Sequence, residues 1–236
     1  MRLAVFAYNF PHKKTQDFLL RLFLEAYAVE FVVACDPVKL NIPAPLLRAK
    51  PVYTDIVHPE LICQRLGIPY HVTPHNSPET VELLRHHNID IGIIAGARIL
   101  RRDTIQAVGK GIINFHPGLI PDVRGLDTVK WALYYDLPIG VTAHFINEKV
   151  DAGRIIVKEA IAINHDDTLI DISLRLAETE TNLLPKVLEQ VKGRPVTDFS
   201  SVLCRGKSNP PMPSELEAEI PRKLSERLSK IQCTYH

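Results

Sequence analysis

Asp90-Ile91-Gly92-Ile93-Ile94-Ala95 and Gly111-Ile112-Ile113-Asn114-Phe115 are two short runs that are almost wholly apolar. Neither alternates polar with apolar residues, so each reads as a strand buried on both faces, as in a parallel sheet. Toward the N-terminus, Leu3 to Tyr8 and Glu30 to Ala34 have the same character, and Pro69 to Val72 is a shorter version. Helical patterns lie between them: Thr15 to Ala28, with Phe18, Leu19, Leu22, Phe23 and Ala26 on one face, and Pro59 to Leu66. Ser77-Pro78-Glu79 supplies an N-cap, a first-turn proline and an acid at the positive helix end, for a helix reaching about His87. Pro37, Pro43, Pro45 and Pro51 mark a long loop. This alternation predicts an α/β chain with a mostly parallel, twisted sheet and helices on both faces.

Beyond Pro138 the pattern changes. Ile139 to Ile146 and Arg154 to Ile163 are β-rich runs joined by a polar, glycine-containing loop, which predicts a hairpin-like pair. Asp167-Thr168 caps a long helix to about Val191, with Leu169, Ile172, Leu176, Leu183 and Val187 as its apolar stripe. After Gly193 the chain turns irregular. Ser214-Glu215-Leu216-Glu217 has the pattern of a capping box opening a last amphipathic helix, with Leu216, Ile220, Leu224, Leu228 and Ile231 on one face and Pro221 breaking or restarting it. That face is expected to dock on the main body or on a second subunit, a homodimer. The expected division is residues 1–193 for the chemistry and 194–236 for a tail.

With 236 residues the chain is long enough for a self-sufficient core. Its 28 Lys+Arg balance 27 Asp+Glu, which argues against a nucleic-acid-binding face. No apolar run approaches the ~20 residues of a membrane span, and Met1 to Phe6 reads as a buried strand and not a signal peptide. The four cysteines are far apart, which fits reduced thiols in a cytoplasmic setting. The ten histidines are dispersed, and no metal is expected. No G-x-G-x-x-G and no phosphate-binding P-loop occurs, so a dinucleotide or nucleoside triphosphate site is unsupported.

In open α/β sheets ligands sit outside the carboxyl ends of the strands. There the chain carries Asn114-Phe115-His116-Pro117-Gly118-Leu119-Ile120-Pro121, then Arg124-Gly125, and later Val150-Asp151-Ala152-Gly153. Asn114 and His116 are two apart, so both side chains project on one side of a strand. An amide and an imidazole there suit an oxyanion. Asp151, in a loop after the next strand, is free to reach back and orient the imidazole. Each residue also has a plainer reading: Asn114 satisfying backbone groups, His116 a loop histidine, Asp151-Ala152-Gly153 a turn. Arg124-Gly125 reads as loop architecture or a phosphate contact.

The combination of Asn-x-His-Pro with a downstream Asp-x-Gly resembles the formyltransferases that use 10-formyltetrahydrofolate. The resemblance is good over roughly residues 89–191 and only in pattern before that. It implies a Rossmann-like formyltransferase fold, catalytic roles for Asn114, His116 (as a charged imidazolium) and Asp151, and no metal. It implies that Ala95, Gly96, Ala97, Arg98, Ile99 and Leu100 form the pterin-binding segment through backbone groups. The folate would enter between that segment and the loop of Val150 and Gly153. It also implies an acceptor contact for Glu180, which interrupts the apolar stripe of its helix, or else sits at the core's edge. The acceptor is expected near Tyr8, Asn9 and Lys13. Where ribonucleotide-specific members carry a Gly-Ser-Gly phosphate loop, this chain has Tyr8-Asn9-Phe10-Pro11-His12-Lys13-Lys14, whose lysines would meet a phosphate only as point charges. The basic C-terminal domain of the tRNA-specific members is not expected here. A small-molecule primary amine, most simply on a nucleotide-linked amino sugar, is the expected acceptor. The alternatives are a 10-formyltetrahydrofolate hydrolase, a glycinamide ribonucleotide formyltransferase-like enzyme, and a non-catalytic folate-binding protein.

Overall fold

The computed structural model describes residues 1–39, 44–148, 151, 153–201 and 208–232. In chain order the elements are β1 (Leu3–Tyr8), α1 (Lys13–Leu24), β2 (Val29–Cys35), α2 (Pro59–Leu66), β3 (Tyr70–Val72), α3 (Pro78–His86), β4 (Ile91–Ile94), α4 (Arg102–Gln106) and β5 (Gly111–His116). Then follow α5 (Thr128–Tyr134), β6 (Gly140–Phe145), β7 (Arg154–Ala160), α6 (Leu169–Val191), β8 (Ser200–Ser201), α7 (Ser214–Glu217) and α8 (Ile220–Gln232).

Among the described residues one eight-stranded sheet runs β3-β2-β1-β4-β5-β6-β7-β8. Neighbours from β3 to β5 are parallel, and β6, β7 and β8 add on antiparallel. Strand side chains alternate faces. Leu3, Val5 and Ala7 pack with Phe18 of α1, Ile62 of α2, Trp131 of α5 and the stripe of α6. Ala4 and Phe6 pack with Val81 and Leu84 of α3 on the other face. The helices therefore cover both faces, as the sequence predicts.

The caps follow local chemistry. Ser77 Oγ accepts the Thr80 N–H at 3.2 Å. Thr168 accepts from Asp171 N while Asp171 accepts from Thr168 N, a reciprocal box. Asp167 is no cap; it makes a bidentate pair with Arg175 at 2.6 and 2.9 Å. Other expectations need correction. Helix α1 starts at Lys13 and stops at Leu24, because Ala26 turns left-handed with φ 57°, where no glycine signals a stop. Neither α4 nor α5 was anticipated: α4 is too short to show a period, and α5 is buried from Thr128 through Leu133, which erases its polar face. Ser214 forms no capping box. It is the first residue of one-turn α7, and Glu217 turns inward to Lys130.

The C-terminal helix docks on the main body. Ile220 is fully buried in the larger core cluster. Arg227 donates to Leu137 O at 2.7 Å, and Lys230 pairs with Asp136 at 3.0 Å. Pro221 stands in the first turn of α8, so it restarts the helix after α7. Cys35 and Cys63 are free thiols. Pro43, Val150, Ala152, Cys204 and Cys233 lie outside the described residues. No helix among the described residues is long and apolar enough to cross a membrane. Among those residues no cluster of three or more His, Cys, Asp or Glu is arranged to hold a metal ion.

Candidate active site

Strand β5 ends in Asn114-Phe115-His116. Phe115 belongs to the larger core cluster, and Asn114 and His116 share the opposite face by strand alternation. His116 is buried, with Nε2 3.0 Å from Val123 O. Its Nδ1 lies 3.5 Å from Asp151 Oδ1. Asp151 adopts a left-handed backbone with φ 47°, and its Oδ2 accepts the Gly125 N–H at 2.9 Å. The three residues singled out from the sequence are thus gathered at one strand end.

A neutral imidazole has one N–H and satisfies either Val123 O or Asp151, but not both; the imidazolium satisfies both. Burial nevertheless holds the His116 pKa below the ordinary value, against the opposing pull of Asp151 and the Val123 carbonyl. The resting ring is therefore neutral. The site is arranged to receive a proton, with a carboxylate in place to stabilise the charged ring once it forms.

The sequence reading missed His144. It lies on β6 directly opposite Asn114 and is fully buried. Its Nδ1 donates to Phe145 O at 3.1 Å. Its Nε2 is 3.5 Å from Asn114 Nδ2 and 3.8 Å from Asp151 Oδ1. Burial lowers its pKa to about 4, so at neutral pH the Nε2 lone pair accepts the Asn114 amide hydrogen and sets that amide's orientation. The only local signal is one histidine in a strand whose other polar residue is Thr142. Its partner is set by the β5–β6 register.

The depressed histidine makes folding stability sensitive to acid. Near pH 8 both folded and unfolded chains hold His144 neutral. Below about 6.5 the unfolded chain takes up a proton and the folded chain does not. The folded protein therefore loses stability as pH falls toward about 4. The loss is on the order of 3 kcal/mol from this residue, and buried His116 acts in the same direction. The urea midpoint should drop over this window, and His144→Asn should make the drop shallower. An unchanged slope in the variant would contradict the assignment.

On the far side of β5, Glu180 of α6 is buried and pairs with Lys14 of α1 at 3.0 Å. Lys14 also donates to Phe115 O at 2.7 Å, between the two candidate residues. Burial raises the Glu180 pKa, and Lys14 opposes that rise. The neighbouring expected contacts are engaged within the protein. Tyr8 donates to Ala97 O at 3.0 Å. Asn9 donates to Asp36 at 2.6 Å and accepts from Tyr70 at 2.8 Å. Lys13 pairs with Asp17. Each of the two lysines thus has a carboxylate partner within the protein.

The segment Ala95–Leu100 follows β4. Ala95 and Gly96 both donate to Phe6 O, at 3.0 and 2.9 Å. Leu100 is buried in the smaller core cluster, while Arg98 and Ile99 point outward, Ile99 with 69% of its surface exposed. Gly153 is buried, and a Cβ there would lie 1.5 Å from Phe145 O. Only glycine lets the chain leave the Asp151 turn and pair with β6 so closely.

A family model described as "Formyl transferase" matches residues 26–188. A phosphoribosylglycinamide formyltransferase of Bacillus subtilis (strain 168) is 38% identical over 115 residues, covering 48% of this chain and 59% of the relative. The chain thus spans less than two thirds of that relative's length. A phosphoribosylglycinamide formyltransferase structure from Bacillus halodurans superposes with a TM-score of 0.63 at 23% identity, over 82% of this chain and 96% of the other. A sugar N-formyltransferase structure from a Shewanella species gives 0.61 at 21% identity, over 89% and 75%. At such identities the structures show a shared fold. The family match, by contrast, runs through β4, β5, Asp151 and most of α6 and covers well over half of the chain, and on that ground the chain belongs to the formyl transferase family.

Proposed function

We propose that this protein is an enzyme that transfers a formyl group from 10-formyltetrahydrofolate to a small-molecule primary amine, with Asn114, His116 and Asp151 as its catalytic residues. The observation that carries the proposal is their convergence: a buried, neutral histidine facing a carboxylate, beside an amide oriented by a second histidine. The amine attacks the formyl carbon, and the Asn114 amide hydrogen left free by His144 stabilises the oxyanion. His116 takes up the proton that the attacking nitrogen loses, and Asp151 stabilises the resulting imidazolium. His116 then returns that proton to the departing folate nitrogen. The proposed folate entrance lies between the outward tip at Arg98 and Ile99 and the loop of Gly153.

The acceptor end is proposed at Tyr8–Lys14 and Glu180. Tyr8 stacks on Phe10 with ring centroids 5.0 Å apart, and His12 packs edge-on against Tyr8. An aromatic cluster with self-paired lysines favours a sugar amine over a phosphate group seated on this segment. A nucleotide-linked amino sugar meets that description if its phosphates lie farther out. Residues 1–193 would carry the chemistry, with the described residues 208–232 packed onto them, and the free thiols Cys35 and Cys63 fit a reducing, cytoplasmic setting.

The test is incubation with 10-formyltetrahydrofolate, alone and with a panel of nucleotide-linked amino sugars and glycinamide ribonucleotide. The expected result is formyl loss that depends on an amino sugar. Formate release without any amine would make the protein a hydrolase. Tight folate binding with no formyl loss would make it a binding protein. Transfer to glycinamide ribonucleotide alone would overturn the acceptor assignment.

A further inference from the structure

Residues 117–127, between β5 and α5, carry two groups that hold the candidate centre. Val123 presents its carbonyl to His116, and Gly125 gives its N–H to Asp151. What fixes these residues comes from the other end of the chain. Asn209 N–H donates to Arg124 O at 2.9 Å, and Leu126 N–H donates to Asn209 O at 3.0 Å. The two bonds form a parallel bridge centred on Gly125. Gly125 has φ +90°, and a Cβ there would lie 2.2 Å from Asn209 O and 2.8 Å from Asn209 N. The approach demands glycine twice over, for backbone conformation and for space.

The segment from Asn209 onward is fastened at three further points. The Trp131 indole N–H donates to Pro210 O at 2.9 Å. Met212 N–H donates to Asp127 Oδ2 at 2.9 Å. Glu217, only 1% exposed, pairs with buried Lys130 and accepts the backbone N–H groups of Leu46 and Leu47 at 2.7 and 3.1 Å. A buried carboxylate with three partners is a strong local anchor, because removing any partner leaves charge or donors unsatisfied.

We propose that residues 208–217 are a strap that positions Asp151 through Gly125, so that the C-terminal segment is a working part of the catalytic centre. The proposal rests on the formyl-transfer reading of that centre. Asp151 hangs on a turn between β6 and β7, and the Gly125 N–H tethers the oxygen that does not face His116. If the strap moves, Gly125 moves, and the carboxylate loses its aim. A misplacement of about 1 Å in such a group costs on the order of 10²-fold in rate, so tenfold or more is expected through one intervening bond.

The test uses the full chain. Gly125→Ala drives the new methyl group against the Asn209 backbone. Trp131→Phe keeps an aromatic ring but removes the hydrogen bond to Pro210, at a distance from the centre. Arg222→Ala, on the solvent side of α8, is the control. Both strap variants should lower kcat about tenfold or more, leave the acceptor KM within about twofold, and speed hydrogen exchange of the residue-125 amide. The control should do none of these. A purely structural role predicts a lower Tm with normal kcat for the folded fraction, and that result overturns the proposal. So does a fallen kcat with the residue-125 amide still protected. If Gly125→Ala does not fold, Trp131→Phe decides by the same readings. If the wild type transfers no formyl group at all, the functional reading fails on its own. The strap is then judged by exchange alone: a Gly125 amide protected in the wild type and released in both Asp151→Ala and Trp131→Phe supports it, and any other pattern overturns it.

Discussion

Asp151→Asn should keep folate binding and lose turnover by on the order of 10²-fold, about 3 kcal/mol of transition-state stabilisation. The substitution preserves size and an oxygen to accept the Gly125 N–H. It removes the charge 3.5 Å from His116 Nδ1. Burial already disfavours the protonated ring, and Asp151 is the largest influence working against burial. Without that charge the ring cannot hold the proton released by the attacking amine. His116→Ala should cost at least as much. The double variant should lose far less than the product of the two, because a carboxylate with no imidazolium to stabilise has nothing left to contribute. Single-turnover rates and folate affinity for all three variants decide the matter. Full additivity, or wild-type turnover in Asp151→Asn, would sink the coupled mechanism. A lowered Tm and weakened folate binding with a near-normal rate would reduce Asp151 to a turn former.

The second large effect is expected at Lys14 and Glu180. Lys14→Met leaves a buried carboxylate without its cation, a situation that costs about 3 kcal/mol of stability. Burial by itself favours the protonated acid, and Lys14 is the first influence restraining it. In the variant the Glu180 pKa should rise further, because burial is then less opposed, and the hydrogen bond to Phe115 O is lost as well. Turnover should fall tenfold or more, with a higher KM for the amine. Glu180→Gln should raise the acceptor KM while costing less stability, since a neutral amide can still accept from Lys14. A double-mutant cycle should show strong coupling. Unchanged KM and turnover for every acceptor in Glu180→Gln would remove Glu180 from the acceptor end.

Much of this protein is legible in its sequence because the interactions responsible are local. The buried strands β1, β2, β4 and β5 announce themselves as apolar runs. Ser77-Pro78 and Thr168 announce helix starts because a cap bonds a backbone group only three residues away. Asn114 and His116 share a face because strand side chains alternate. Other features were settled only in three dimensions. Which histidine faces Asn114 depends on the antiparallel pairing of β5 with β6. Lys14 and Glu180 are 166 residues apart and meet because α1 and α6 cover the same face of the sheet. Helix α5 is buried all round, so its sequence carries no polar stripe to read. The protonation of His116 follows from burial, which no composition or spacing reports. The aim of Asp151 depends on Gly125, and Gly125 on Asn209. Backbone hydrogen bonds between distant segments use atoms that every residue possesses, so side-chain identity leaves almost no trace of them, except a glycine where a Cβ will not fit.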